Sequence, residues 1–210
     1  MMMSIGLASW LAVLVGGVAA PVVAGPEPVF ERLGASSFVV VPARLRPTHP
    51  EAVTVRVLVE TKYAAQAEAF AWAVEDALGD AHGWAAAGHR FVLVDGEAEI
   101  TVVLAGPNTV DRLCAPLATG GAFSCGRGGR AVINARRWHG GATTYRRDLE
   151  GYRTYVINHE VGHLLGFEHT ACPGRGRAAP VMLQQTKSLD GCRKGPRPSA
   201  RELERMAAAP

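Results

Sequence analysis

The strongest constraint on this chain is the segment His159-Glu160-Val161-Gly162-His163-Leu164-Leu165-Gly166-Phe167-Glu168-His169, which has the form H-E-x-x-H-x-x-G-x-x-H. A helical pattern from Asp148 to Gly166 carries it, and residues four apart on a helix lie one turn above each other on one face. His159 and His163 therefore aim two imidazoles at one point. Gly166 accepts the positive φ that stops a helix, so His169 turns back toward the same point. Three nitrogen ligands leave a fourth position for water, the arrangement of a catalytic zinc site, whereas structural sites are usually closed by four protein ligands. One Zn2+ ion is the expected cofactor. Glu160 adjoins the first ligand and can reach that water without coordinating the ion, so it is the candidate general base. Zinc lowers the pKa of its water to about 7, and the reaction class this suits is hydrolysis. Ile157, Val161, Leu164 and Leu165 offer an apolar face opposite the histidines.

Further along, Pro180-Val181-Met182 follows His169 after a loop holding Cys172, Pro173 and Gly174. Together these residues resemble the signature of the metzincin zinc metallopeptidases, in which the three-histidine run is followed by a methionine in a tight turn below the metal. The resemblance covers residues 159–182 and gives Met182 the role of that methionine. It implies an α/β (α+β) fold with a twisted mixed sheet, a backing helix, an active-site helix and a small C-terminal subdomain. It also implies a metalloendopeptidase whose protein or peptide substrate binds extended, by strand addition along an edge strand. Gly129–Arg136 is the candidate edge. The longer string through Met182-Leu183-Gln184-Gln185-Thr186 and Gly191-Cys192 is similar to a set of exported actinobacterial proteins. One departure is that Gln184 stands where several metzincin groups place a tyrosine, which leaves the oxyanion donor unassigned among Gln184, Gln185, Tyr152 and Tyr155. Two other functions fit the same motif: a zinc-containing domain that binds a peptide or wall component without turnover, and an amidase acting on peptidoglycan peptides.

The 210 residues suit one domain. Residues 1–26 carry no charged side chain, and the apolar run Ile5–Ala20 with Val22-Val23-Ala24 before Gly25 reads as a signal peptide over 1–24 or as an N-terminal membrane anchor. Either reading puts the remainder outside the cytoplasm. Residues 25–50, rich in proline, read as an irregular lead-in around one short strand at Phe38–Val41, and 51–210 as the zinc-binding domain. Within it, Val53, Val55, Val57 and Val59 alternate as in a strand, and Ala64 to Leu78 recur at helical steps up to Gly79. Further β-rich runs are Arg90–Val94, Ile100–Ala105 and Ala131–Ala135, while residues 114–130 read as a flexible glycine-rich loop. Four cysteines, Cys114, Cys125, Cys172 and Cys192, imply two disulfides in an exported chain. Three pairings are open, and the local one, 114 with 125 and 172 with 192, is favoured because each closes a glycine-containing loop. A net charge of +3 gives no case for a nucleic-acid partner. His49, His82, His89 and His139 read as surface histidines, Glu168 as a solvated carboxylate beside the third ligand, and the basic stretch Arg175–Arg205 as a solvated surface.

Overall fold

The computed structural model describes residues 28–43 and 51–208. The export segment over 1–24, part of the lead-in, and His49 lie outside them. The elements are β1 (Phe30–Leu33), β2 (Ser36–Val40), β3 (Val53–Glu60), α1 (Ala67–Gly79), β4 (Phe91–Leu93), β5 (Ile100–Ala105), α2 (Pro107–Cys114), β6 (Cys125–Arg127), β7 (Arg130–Asn134), α3 (Ala135–Gly140), α4 (Leu149–Leu164) and α5 (Ala200–Ala207). The strands form one mixed sheet in the order β1-β2-β3-β5-β7-β6, with β4 beside the start of β3. β3, β5 and β7 run parallel, and β6 lies antiparallel to β7. This is the expected mixed α/β class.

Alternation divides the sheet into two buried faces, because successive side chains of a strand point to opposite sides. Val55, Val57, Val59, Val102, Leu104, Ala131 and Ile133 face the larger core, which they share with Phe70, Val74 and Leu78 of α1 and Tyr155, Val156 and Val161 of α4. Leu58, Val103, Ala105 and Val132 face the smaller one, packed with Phe38, Val110, Cys114 and Cys125. The parallel centre of the sheet is thus covered on both sides, as such strands require.

Three expectations are corrected. Residues 25–50 are not merely an irregular lead-in: β1 and β2 form a hairpin, and β2 pairs antiparallel with β3 along Phe38↔Glu60. The sheet therefore begins well before residue 51. Residues 114–130 are not all loop, since Cys125–Arg127 is β6, joined to β7 by the two-residue turn Gly128-Gly129. It follows that Gly129–Arg136 is not the edge. β7 sits inside the sheet between β5 and β6, and β6 is the outer strand. A three-residue strand inside a glycine-rich run has too little periodicity to reveal itself.

Both disulfides take the favoured local pairing, Cys114–Cys125 and Cys172–Cys192, which fits an extracytoplasmic setting. The first ties the end of α2 to the start of β6. The second closes the region after α4, where Ala178 bridges to Arg193. Among the described residues no helix is long and apolar enough to cross a membrane.

Candidate metal centre

The centre is built on α4, whose N-cap Asp148 accepts from Gly151 N at 2.9 Å. From Tyr155 to Gly162 every residue of α4 is buried, so the helix is enclosed on all sides and not only on one apolar face. That enclosure fixes the rotation of the helix and, with it, the direction of its imidazoles. A Cβ added to Gly162 would lie 2.5 Å from Met182 Sδ, so only glycine lets the methionine pass so close beneath the helix. Gly166 has φ of 85°, the left-handed conformation that ends the helix and redirects the chain.

Beyond that turn His169 returns to α4. The candidate ligand atoms of His159, His163 and His169 lie within 4.8 Å of one another, and His163 Nε2 is 3.2 Å from His169 Nε2. Two of the rings are oriented from behind: His159 Nδ1 is 2.7 Å from Val181 O, and His163 Nδ1 is 2.9 Å from Phe167 O. A carbonyl can only accept, so Nδ1 carries the proton in each ring and Nε2 keeps its lone pair. Burial pushes the His159 imidazolium down to about 3, which keeps this ring neutral. Burial, then the nearness of the His163 ring and of the Lys187 ammonium, also lower His169.

A tetrahedral ion with Zn–N distances of about 2.1 Å holds any two ligands about 3.4 Å apart, and the His163–His169 pair, at 3.2 Å, is close to that spacing. The donor set therefore fits a zinc ion with three nitrogen ligands.

The three histidines border a cleft of about 520 Å³ whose lining includes Glu160, Glu168, Tyr155, Phe123, Gln184 and Lys187. Glu160 is buried, and desolvation pushes its carboxyl up to about 8; a cation held beside it favours the ionised form. Glu168 lines the same cleft as an exposed carboxylate. Cys125 and Gly126 of β6 form part of the rim, so the strand that borders the cleft is the true edge strand.

Met182 is fully buried, and its carbonyl accepts from Thr170 N at 3.1 Å, directly after the third ligand. The neighbouring Val181 carbonyl holds His159. The turn is therefore bonded to the segments of both outer ligands. What secures it from below is Glu202 on α5, only 3% exposed. Its carboxylate accepts from Val181 N at 3.1 Å and Met182 N at 2.9 Å, and also from Ser199 N at 2.6 Å and Ser199 Oγ at 2.7 Å.

Sequence reasoning missed Glu202, although Ser199-Ala200-Arg201-Glu202 has the spacing of a capping box, and that box is present. Arg175–Arg205 is accordingly not only a solvated surface, since it contains the turn and α5.

Of the four proposed oxyanion donors, three are committed elsewhere. Tyr155 OH donates to Leu183 O and Tyr152 OH pairs with Thr186 Oγ1. Gln185, fully buried, is held by Tyr145 OH, Pro180 O and Gly195. Gln184 alone of the four keeps an amide N–H without a described partner in the cleft lining. Of the other described histidines, His82 is beside Asp80 at 3.4 Å, and His139 is 2.5 Å from Gln66 Oε1.

Residues 25–194 match the model of a family described as protein of unknown function (DUF3152). No curated protein matches the chain.

Proposed function

We propose that this chain, which belongs to the DUF3152 family, is an exported zinc-dependent endopeptidase acting on protein or peptide substrates bound in extended form. One observation carries the reading: three imidazole nitrogens converge at an open cleft that also contains the buried carboxyl of Glu160. His159, His163 and His169 would hold the ion. Zinc, when bound, supplies a polarised substrate carbonyl and a water acidified to a pKa of about 7.

The chain's own residues do the rest. Glu160 takes the proton of the attacking water and returns it to the leaving amine, a two-way transfer for which one carboxylate suffices. Val181 O and Phe167 O hold two rings in the ligating tautomer, so little reorganisation accompanies binding. The outer edge of β6 offers backbone donors and acceptors to an extended peptide, and Gln184 Nε2 is the side-chain donor left for the oxyanion. Metzincin-type chemistry is the class to which this set of roles belongs.

The test is incubation of the zinc-loaded chain with a peptide library, read by mass spectrometry, with and without chelator. Glu160→Gln should keep zinc in stoichiometric amount and lose about 100-fold to 10,000-fold in hydrolysis, the usual contribution of a positioned acid–base group. Cleavage that persists in metal-replete Glu160→Gln, or that ignores the chelator, would overturn the proposal.

A further inference from the structure

The chain contains three lysines, Lys62, Lys187 and Lys194, and they are not equivalent. Lys62 is 3.5 Å from Glu60, and Lys194 is 2.6 Å from Asp148. Lys187 has no carboxylate within ion-pair distance among the described residues, yet it forms part of the cleft lining. Its ammonium is held instead by neutral groups, with Nζ donating to Gln184 Oε1 at 3.2 Å and lying 5.2 Å from the centre of the Phe123 ring. An ammonium has three N–H groups, so two remain after Gln184 is served.

The mount is rigid. Lys187 N donates to Gln184 O at 2.9 Å, and Gln185, two residues earlier, is fully buried and bonded on every polar atom of its side chain. A cation positioned on an aromatic face and an amide oxygen at the cleft, with no carboxylate within ion-pair distance among the described residues, is arranged to meet an anion. The other charged members of the lining are Glu160, the proposed base, and Glu168, which lies on the segment of the third ligand.

Resting on the endopeptidase reading of this cleft, we infer that Lys187 selects substrates that place a carboxylate close to the cleaved bond. The shared chemistry is a carboxylate, supplied either by an acidic side chain or by a free C-terminus. Lys187 is thus a specificity-determining residue, and Phe123 and Gln184 position it.

The experiment uses the full chain loaded with zinc and a mass-encoded peptide library with Glu and Gln at equal frequency in each variable position. One copy of the library has free C-termini and the other is amidated. Cleaved products of wild type should be enriched in Glu over Gln about threefold to fivefold at one position, the size of an exposed charge pair of up to about 1 kcal/mol. If the terminus is the source, the enrichment appears instead as preference for the free-acid library. Either preference should shrink as salt rises, because exposed charges are screened.

Lys187→Glu should invert the preference, with Gln enriched over Glu or the amidated library cleaved in preference to the free acids, and Lys187→Gln should bring either ratio to about one. Circular dichroism would verify that both variants fold. An equal Glu-to-Gln ratio in wild type together with equal cleavage of the free-acid and amidated libraries, or a wild-type preference that persists in Lys187→Glu, would overturn the inference. A second arm separates this result from failure of the parent reading. Retention of the same libraries by zinc-loaded Glu160→Gln in equilibrium dialysis reports the cleft cation without turnover. Retention biased toward carboxylates and lost in Glu160→Gln/Lys187→Glu supports the inference even if wild type cleaves nothing; unbiased retention counts against it.

Discussion

A buried carboxylate is tolerated only when its oxygens are satisfied, and Glu202 meets that condition with four donors, two of them in the backbone of the methionine turn. Because Val181 both donates to Glu202 and accepts from His159, the carboxylate is one residue removed from orienting the first imidazole. Glu202→Gln would turn an amide N–H toward backbone N–H groups. The expected outcome is zinc affinity lower by about 10-fold to 100-fold, the usual effect of losing a partner behind a ligand, measured by competition with a chromophoric chelator. Unchanged affinity would show that the turn holds itself. At this scale the ligands were legible in the sequence because all three lie within eleven consecutive residues, where helical spacing and one glycine determine direction. Glu202 was not, because its relation to His159 depends on how the chain after Met182 folds back.

Among the elements, α4 matters most, and its first turn depends on Asp148. That carboxylate caps the helix and bonds Lys194 at 2.6 Å. The Lys194 ammonium is the leading influence holding Asp148 below the ordinary carboxylate range, and the Gly151 amide adds to it. A carboxyl lowered by folding stabilises the native state above its unfolded pKa and loses that contribution as pH falls through the lowered value. Wild type should therefore exceed Asp148→Asn in Tm at pH 7, and the gap should close progressively as the pH is taken below about 4. A gap that stays constant to pH 2 would contradict the assignment.

Legibility among the elements followed periodicity. The alternating valines of β3 and the apolar run of β5 were visible, and the extent of α4 was nearly correct. The strand expected at Phe38–Val41 is β2 (Ser36–Val40), while β1 was hidden by the prolines around it, β6 by its length, and α2 because a proline directly after the β5 run reads as a stop, although proline at the first helical position also opens a helix. α5 was obscured by lying at the end of the basic stretch that begins at Arg175, even though its capping residues were in plain view.

For the whole molecule, the sheet, the two cores on its faces and both disulfides are built from residues other than the three imidazoles, so under the proposed function the fold is expected to stand without the ion. Chelation should abolish hydrolysis while leaving the far-ultraviolet circular dichroism unchanged. The melting temperature should still fall and recover with added zinc, since a ligand at 100 times its Kd stabilises by about 2.7 kcal/mol. Collapse of the secondary structure on chelation would instead make the ion part of the core. Loss of the Cys172–Cys192 link, which spans 20 residues, should cost about 3 kcal/mol in the chain-entropy account, read by urea denaturation of the Cys172→Ser/Cys192→Ser double variant.

The other cystine has a separate consequence. Cys114–Cys125 fastens the strand at the lip of the cleft to the end of α2, at a distance in the chain from every imidazole. If peptides align along β6 as proposed, a reductant that opened it would loosen that ledge and leave the three histidines on α4 and the segment after it. The protein would then be silenced without being emptied, and reoxidation would restore it with no new supply of ion.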